Sequence, residues 1–126
     1  MGDRANAIIK DVDGEVFLYT HWNGSELPYL VQTALQRKQR WDDPAYLARI
    51  VFCTMVKGSE ADETGYGIST VICDNEHPLT VIDTAQQEVR IESEDRQTVY
   101  TRCSFAHYCE LTREQIETLH ENARAR

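Results

Sequence analysis

The apolar positions of this 126-residue chain change their period several times, and each change marks an element. Ala7-Ile8-Ile9-Lys10 and Val16-Phe17-Leu18-Tyr19 are short apolar runs rich in β-branched and aromatic residues, and both predict strands. The segment between them, Asp11-Val12-Asp13-Gly14-Glu15, carries an Asp-Gly turn and predicts a hairpin. From Leu27 the period lengthens: Leu27, Leu30, Val31, Ala34 and Leu35 fall on one helical face. Ser25 is expected to cap that helix, with Glu26 in its first turn. Arg37-Lys38-Gln39-Arg40 would then lie at its C-terminal end, where cations oppose the helix dipole. A second helix is expected to start sharply at Asp43-Pro44 and to stop at Gly58. Leu47, Ile50, Val51, Thr54 and Met55 form its apolar stripe, and Trp41 would pack ahead of the cap as a staple.

The second half reads as strands. Ile68-Ser69-Thr70-Val71-Ile72-Cys73 and Leu79-Thr80-Val81-Ile82-Asp83 are dense in β-branched residues. Glu88-Val89-Arg90-Ile91-Glu92 alternates like a half-exposed strand, and another is expected over residues 97–102. A short helical turn opens at Ser104, and Thr112 with Gln115 forms a capping box before a last helix through Ile116, Leu119 and Ala123. The order predicts one α+β domain over residues 1–126: a hairpin, two helices on one face of the sheet, a β-meander and a C-terminal helix. Leu111, Ile116 and Leu119 of that last helix would serve equally against their own domain or against a second copy in a homodimer.

Charge narrows the functional classes. Thirteen basic and 21 acidic residues give a net charge of −8, which repels nucleic-acid phosphates and favours a basic protein partner. The acids gather at Glu60, Asp62 and Glu63 and again around Glu92, Glu94 and Asp95, and both groups are candidate partner-binding surfaces. No apolar run approaches the roughly 20 residues of a membrane span, and the first residues carry no export signal, so a cytoplasmic protein is expected. Four cysteines without a C-x-x-C pair are expected to be reduced.

Two polar segments carry candidate chemistry. Tyr19-Thr20-His21-Trp22-Asn23-Gly24 stands where a strand hands over to a helix, a junction that can present Tyr19, His21, Trp22 and Asn23 to a ligand. Alternation also allows a plainer role, with His21 on the face of Phe17 and Tyr19 at a strand end. Asp74-Asn75-Glu76-His77 collects two carboxylates, an amide and an imidazole, a set able to bind a cation or position a water, with Asp83 the nearest further oxygen donor. The same residues are ordinary turn formers. Cys73 with His77, and Cys103 with His107 and Cys109, are spaced too loosely for a closed zinc tetrahedron, and no metal or cofactor is expected. No nucleophile elbow, phosphate loop or dinucleotide fingerprint is present in the sequence, and no catalytic residue is assigned.

The segments Tyr19-Thr20-His21-Trp22-Asn23-Gly24, Trp41-Asp42-Asp43, Tyr46-Leu47-Ala48-Arg49-Ile50, Thr64-Gly65-Tyr66-Gly67-Ile68 and Asp74-Asn75-Glu76-His77 together resemble a family of small uncharacterised proteins of bacteria and their phages. The resemblance runs from about Gly2 to Phe105 and implies a phage- or prophage-associated context without implying any activity. Small acidic proteins in that context often inhibit host defence, anti-CRISPR proteins among them. The expectation is therefore a non-enzymatic inhibitor or regulator that binds a host protein. The rival expectation is a small-ligand or nucleotide-handling protein with a pocket between Tyr19–Gly24 and Asp74–His77.

Overall fold

The computed structural model describes residues 2–124. Its centre is a six-stranded sheet in the order β3-β2-β1-β4-β5-β6. Strands β1 (Ala5–Lys10) and β2 (Glu15–Thr20) form the expected hairpin, and the Asp11 carboxylate closes the turn by accepting from the amides of Asp13 and Gly14. Strand β3 (Tyr66–Ser69) pairs antiparallel on the outer side of β2. Strand β4 (Leu79–Asp83) then inserts beside β1 as the parallel pair, and β5 (Glu88–Glu92) and β6 (Val99–Ser104) continue the sheet antiparallel.

Helices α1 (Leu27–Leu35) and α2 (Pro44–Val56) follow β2, and α3 (Phe105–Glu110) and α4 (Arg113–Arg124) follow β6. Leu27, Val31, Leu35, Leu47, Ile50, Val51, Phe105, Tyr108 and Ile116 share one core with Ala5, Ala7, Ile9, Leu18, Ile82 and Val89 of the sheet. The period-2 alternation of β1 thus commits its odd positions to the helices. Each fully buried aliphatic or aromatic side chain stabilises this core by about 1.5–3 kcal/mol. Helix α4 packs on its own domain: Ile116, His120 and Ala123 are buried, and Arg113 stacks over the Tyr29 ring and meets Glu26 at 2.8 Å.

The caps explain where these helices begin. Asp43 accepts from the Tyr46 amide at 3.1 Å with Pro44 in the first turn, and Ser104 accepts from the His107 amide at 3.1 Å. Thr112 and Gln115 exchange both bonds of a capping box. Trp41 donates to the Leu35 carbonyl and meets Phe105 edge-on, which closes the α1–α2 connection.

Three expectations are corrected. Ser25 does not cap α1; residues Gly24–Glu26 form a 3₁₀ turn, and the Ser25 amide bonds Asp3 instead. The basic patch lies past α1 in the connection to α2, where Lys38 and Arg40 adopt φ of 54° and 58°, so it closes no helix. Strand β3 ends at Ser69, because residues 70–78 peel away to cross the back of the sheet and deliver β4 to its parallel place beside β1.

That crossing gives the sheet a covered second face. Ile8, Phe17, Leu79 and Val81 are buried there with Ile72 of the crossing segment packed against them. Beside this small apolar group runs a chain of ion pairs. Arg90 donates to Asp83 and Glu88 at 2.8 Å each and to Glu92 at 3.0 Å, and Arg96 links Glu92 to Glu15. The expected half-exposed β5 is therefore buried on both faces, Arg90 being 8% and Glu92 5% exposed. Alternation misleads here because paired charges can be covered where single ones cannot.

Candidate functional site

The two polar segments flagged by the sequence meet at one end of the sheet, joined by residues that precede and open β1. Asp3 is the hub. Its amide donates to the His21 carbonyl at 2.7 Å, its carbonyl accepts from the Gly24 amide at 2.7 Å, and its carboxylate accepts from the Ser25 amide at 2.9 Å. The second carboxylate oxygen lies 2.5 Å from Nε2 of His77. Partial burial acts to raise the Asp3 carboxyl, but the bonds from His77 and Ser25 outweigh it and hold the group below its ordinary value.

Gly24 is required by this close approach, because a Cβ there would stand 2.6 Å from the Asp3 carbonyl oxygen and 2.8 Å from the His77 ring. Arg4 exchanges two bonds with Glu76, at 2.9 Å each, and its guanidinium lies 3.6 Å from both Asp74 and Glu76. Asn6 is fully buried. Its side chain bonds the Cys73 carbonyl and amide and the Asn75 side chain, while Asn75 reaches on to Glu94 at 3.0 Å.

On the other side Tyr19 and His21 share a 2.9 Å bond, and His21 lies edge-on to Trp22. The Thr20 hydroxyl accepts from the Asn23 amide, and Asn23 donates to the Tyr66 hydroxyl at 2.7 Å. Burial raises the Tyr19 phenol above its ordinary value; Arg4 opposes this, and Asp74, Cys73 and Glu76 add to it. Tyr19, His21, Asn23, Asn75, Glu76 and His77 are thus brought together around Asp3, Arg4 and Asn6. Trp22 is not drawn in; it is 53% exposed and lies against Gly65, which has a φ of +103°. Asp74 stays on the rim, with its side chain 80% exposed.

The chemistry open to this cluster is limited by volume. His77 and Ser25 border an enclosed cavity of about 20 Å³ that reaches Thr80, Glu117 and His120, room for a single water. An Asp–His pair beside one water is the skeleton of acid–base chemistry, and the larger space that His77 also lines is an open hollow rather than an enclosed pocket. The crossing segment also borders two open hollows, of about 330 Å³ beside Glu76, Glu94 and Tyr100 and about 480 Å³ beside Ile72, Asp74 and Glu94. A groove of about 580 Å³ lies elsewhere, between β6 and α4, and includes Cys103, His107, Leu111 and Leu119. Burial pushes the Cys103 thiol up to about 11 and raises that of Cys109, so neither is an activated nucleophile at neutral pH. Among the described residues no group of three histidines, cysteines or acids could hold a metal ion, and Asp83 is committed to Arg90.

The two acidic groups separate. Glu60, Asp62 and Glu63 are exposed in the loop that leads into β3. Glu92 is buried between Arg90 and Arg96 and offers no charge to a partner, which corrects its place among the surface residues. Glu94 bonds Asn75, and Asp95 closes its own turn by accepting from Ser93 and Gln97, bonds that hold its carboxyl below the ordinary value. Downstream of the first acidic group, Ile68 of β3 and Val71 just past it are 63% and 62% exposed.

Asp3, Arg4 and Asn6 were missed from sequence. The one available signal was Asn6 itself, a polar residue at the head of an apolar strand, which must find partners when buried. No family model, curated protein or solved structure matches the chain. Among the described residues no helix is long and apolar enough to cross a membrane.

Proposed function

We propose that this chain is a non-enzymatic binding protein that acts by docking on another protein, as a phage-type inhibitor or regulator of a host system would. The observation that carries the reading is the margin of β3. There Trp22, Ile68 and Val71 stay largely in water, and the loop that leads into the strand carries the exposed acids Glu60, Asp62 and Glu63. Large apolar side chains left exposed next to charge of one sign are what a protein-binding surface offers. The polar cluster around Asp3 supports the same reading from the other side. Its hydrogen bonds run mainly between its own groups, the buried Arg4 Nε making only a 3.6 Å contact with Glu76, and together they clamp the chain's first strand to the crossing segment.

In the phage-associated setting that the resemblance implies, the partner is a host protein with a basic surface, and anti-CRISPR-like inhibition is one such role. The test is affinity capture from host lysate at low salt, with tagged wild type and a variant carrying Glu60→Lys, Asp62→Lys and Glu63→Lys. The reading predicts a protein retained by the wild type and lost by a variant that melts normally. Equal retention by both, or no retained protein, contradicts it.

A further inference from the structure

We infer that the partner is bound by strand addition: an extended segment with basic residues at its C-terminal end pairs antiparallel with the free edge of β3. This inference rests on the protein-binding reading and specifies where and how the partner sits. The phase of the hydrogen-bond ladder carries it. His21 donates to the carbonyl of Gly65 directly opposite, which makes residues 21 and 65 a bonded pair. Bonded and non-bonded pairs alternate along an antiparallel ladder, so with the observed register Tyr19–Gly67 and Phe17–Ser69 are also bonded pairs. The other side of β2 keeps the same phase. Asp11 donates to Gly14, directly opposite in the β1–β2 register, so the even residues of β2 face β1 and the odd ones face β3.

Tyr66 and Ile68 therefore point their amides and carbonyls away from β2, toward the edge where the sheet ends. An edge that shows unpaired backbone groups beside exposed apolar side chains is a template for another strand. The edge is short, four residues, but it carries no lysine or proline, and the Ile68 side chain is 63% exposed. The opposite edge differs, since α4 stands alongside β6 and the groove between them is bordered by Arg102.

Charge identifies the occupant. Glu60, Asp62 and Glu63 precede β3, and an antiparallel partner brings its C-terminal end to that loop. Opposite charge is needed there. A second copy fits poorly. Each copy brings the same acidic loop to that edge, and each carries a net charge of −8.

The test uses the peptide acetyl-TVTVTKRK-amide and its counterpart ending in three glutamates, titrated into ¹⁵N-labelled full-length protein. The basic peptide is expected to shift the Tyr66 and Ile68 amide resonances first, and the acidic one to leave them unmoved. Ile68→Pro removes one outward donor while every bond to β2 stays, a change that edge strands tolerate. It should weaken the basic peptide by about tenfold. Shifts confined to other surfaces, no binding of the basic peptide, or equal affinity in a normally melting Ile68→Pro variant would overturn strand addition. The same variant separates this inference from the reading beneath it. If the wild type retains a lysate protein and Ile68→Pro retains it equally, strand addition alone fails. If the wild type retains none, the protein-binding reading fails first.

Discussion

Replacing Arg90 with methionine should remove the electrostatic support of the back face while leaving its shape nearly intact. The guanidinium holds Asp83, Glu88 and Glu92 at 2.8, 2.8 and 3.0 Å, and Asp83 and Glu92 are each 5% exposed. Arg96 still reaches Glu92 after the change, but Asp83 keeps only the Gln86 amide. Breaking a buried pair by removing one partner costs about 3–5 kcal/mol, because the remaining charge stays buried without compensation. That is a large share of the roughly 5–15 kcal/mol that holds a domain together. Urea unfolding followed by the fluorescence of Trp22 and Trp41 would read it as a midpoint lowered by about 1.5–2.5 M for a slope near 2 kcal/mol per M.

The pH dependence gives the sharper check. In the wild type, burial acts to raise the Asp83 carboxyl, but the bonds from Arg90 and Gln86 hold it below its ordinary value of 3.8. Its stabilisation is therefore fully present above that value and is lost as pH falls through the lower folded one. Without Arg90 the same burial is opposed only by the Gln86 bond and the Lys10 charge, so the folded value rises. The penalty relative to the wild type is then full at neutral pH and shrinks as pH falls through that raised value. The gap between variant and wild type should narrow as pH falls from 7. A loss under about 1 kcal/mol at pH 7, or a gap that widens on acidification, would refute the account of this network.

Two further changes test the clamp around Asp3. Gly24→Ala should cost about 1–3 kcal/mol, since its methyl group meets the Asp3 carbonyl at 2.6 Å and the His77 ring at 2.8 Å; an unchanged thermal midpoint would show that the approach is not tight. Asn6→Leu keeps the bulk but strands the Cys73 amide and carbonyl, each worth about 1–3 kcal/mol when buried unpaired; native amide exchange at Cys73 should rise, and unchanged protection there would remove Asn6 from the clamp.

Local chemistry was legible in the sequence where partners are near neighbours. Asp43 with Pro44 and the Thr112–Gln115 box act within a few residues and take the expected form, and the hairpin forms as expected, though its turn centres on Val12-Asp13 under the Asp11 carboxylate rather than on Asp13-Gly14. The start of α1 was misplaced because Ser25 answers to Asp3, 22 residues away. The back face was missed for the same reason. Glu88, Arg90 and Glu92 look like the wet side of a strand until Asp83 and the Arg96 turn are folded over them. The Tyr19–Gly24 and Asp74–His77 segments, both singled out as ligand-binding candidates, come together at one end of the sheet, but their bridge, Asp3 to Asn6, lies more than 65 residues from the second of them.

Amide hydrogen exchange across β3, in the free protein and with its captured partner, tests the central claim most directly. In the free protein Tyr66 and Ile68 should exchange fast while Gly67 and Ser69 are protected by β2, and in the complex all of these should be slow. Protection of Tyr66 and Ile68 before any partner is added, or fast exchange that persists in the complex, would contradict it.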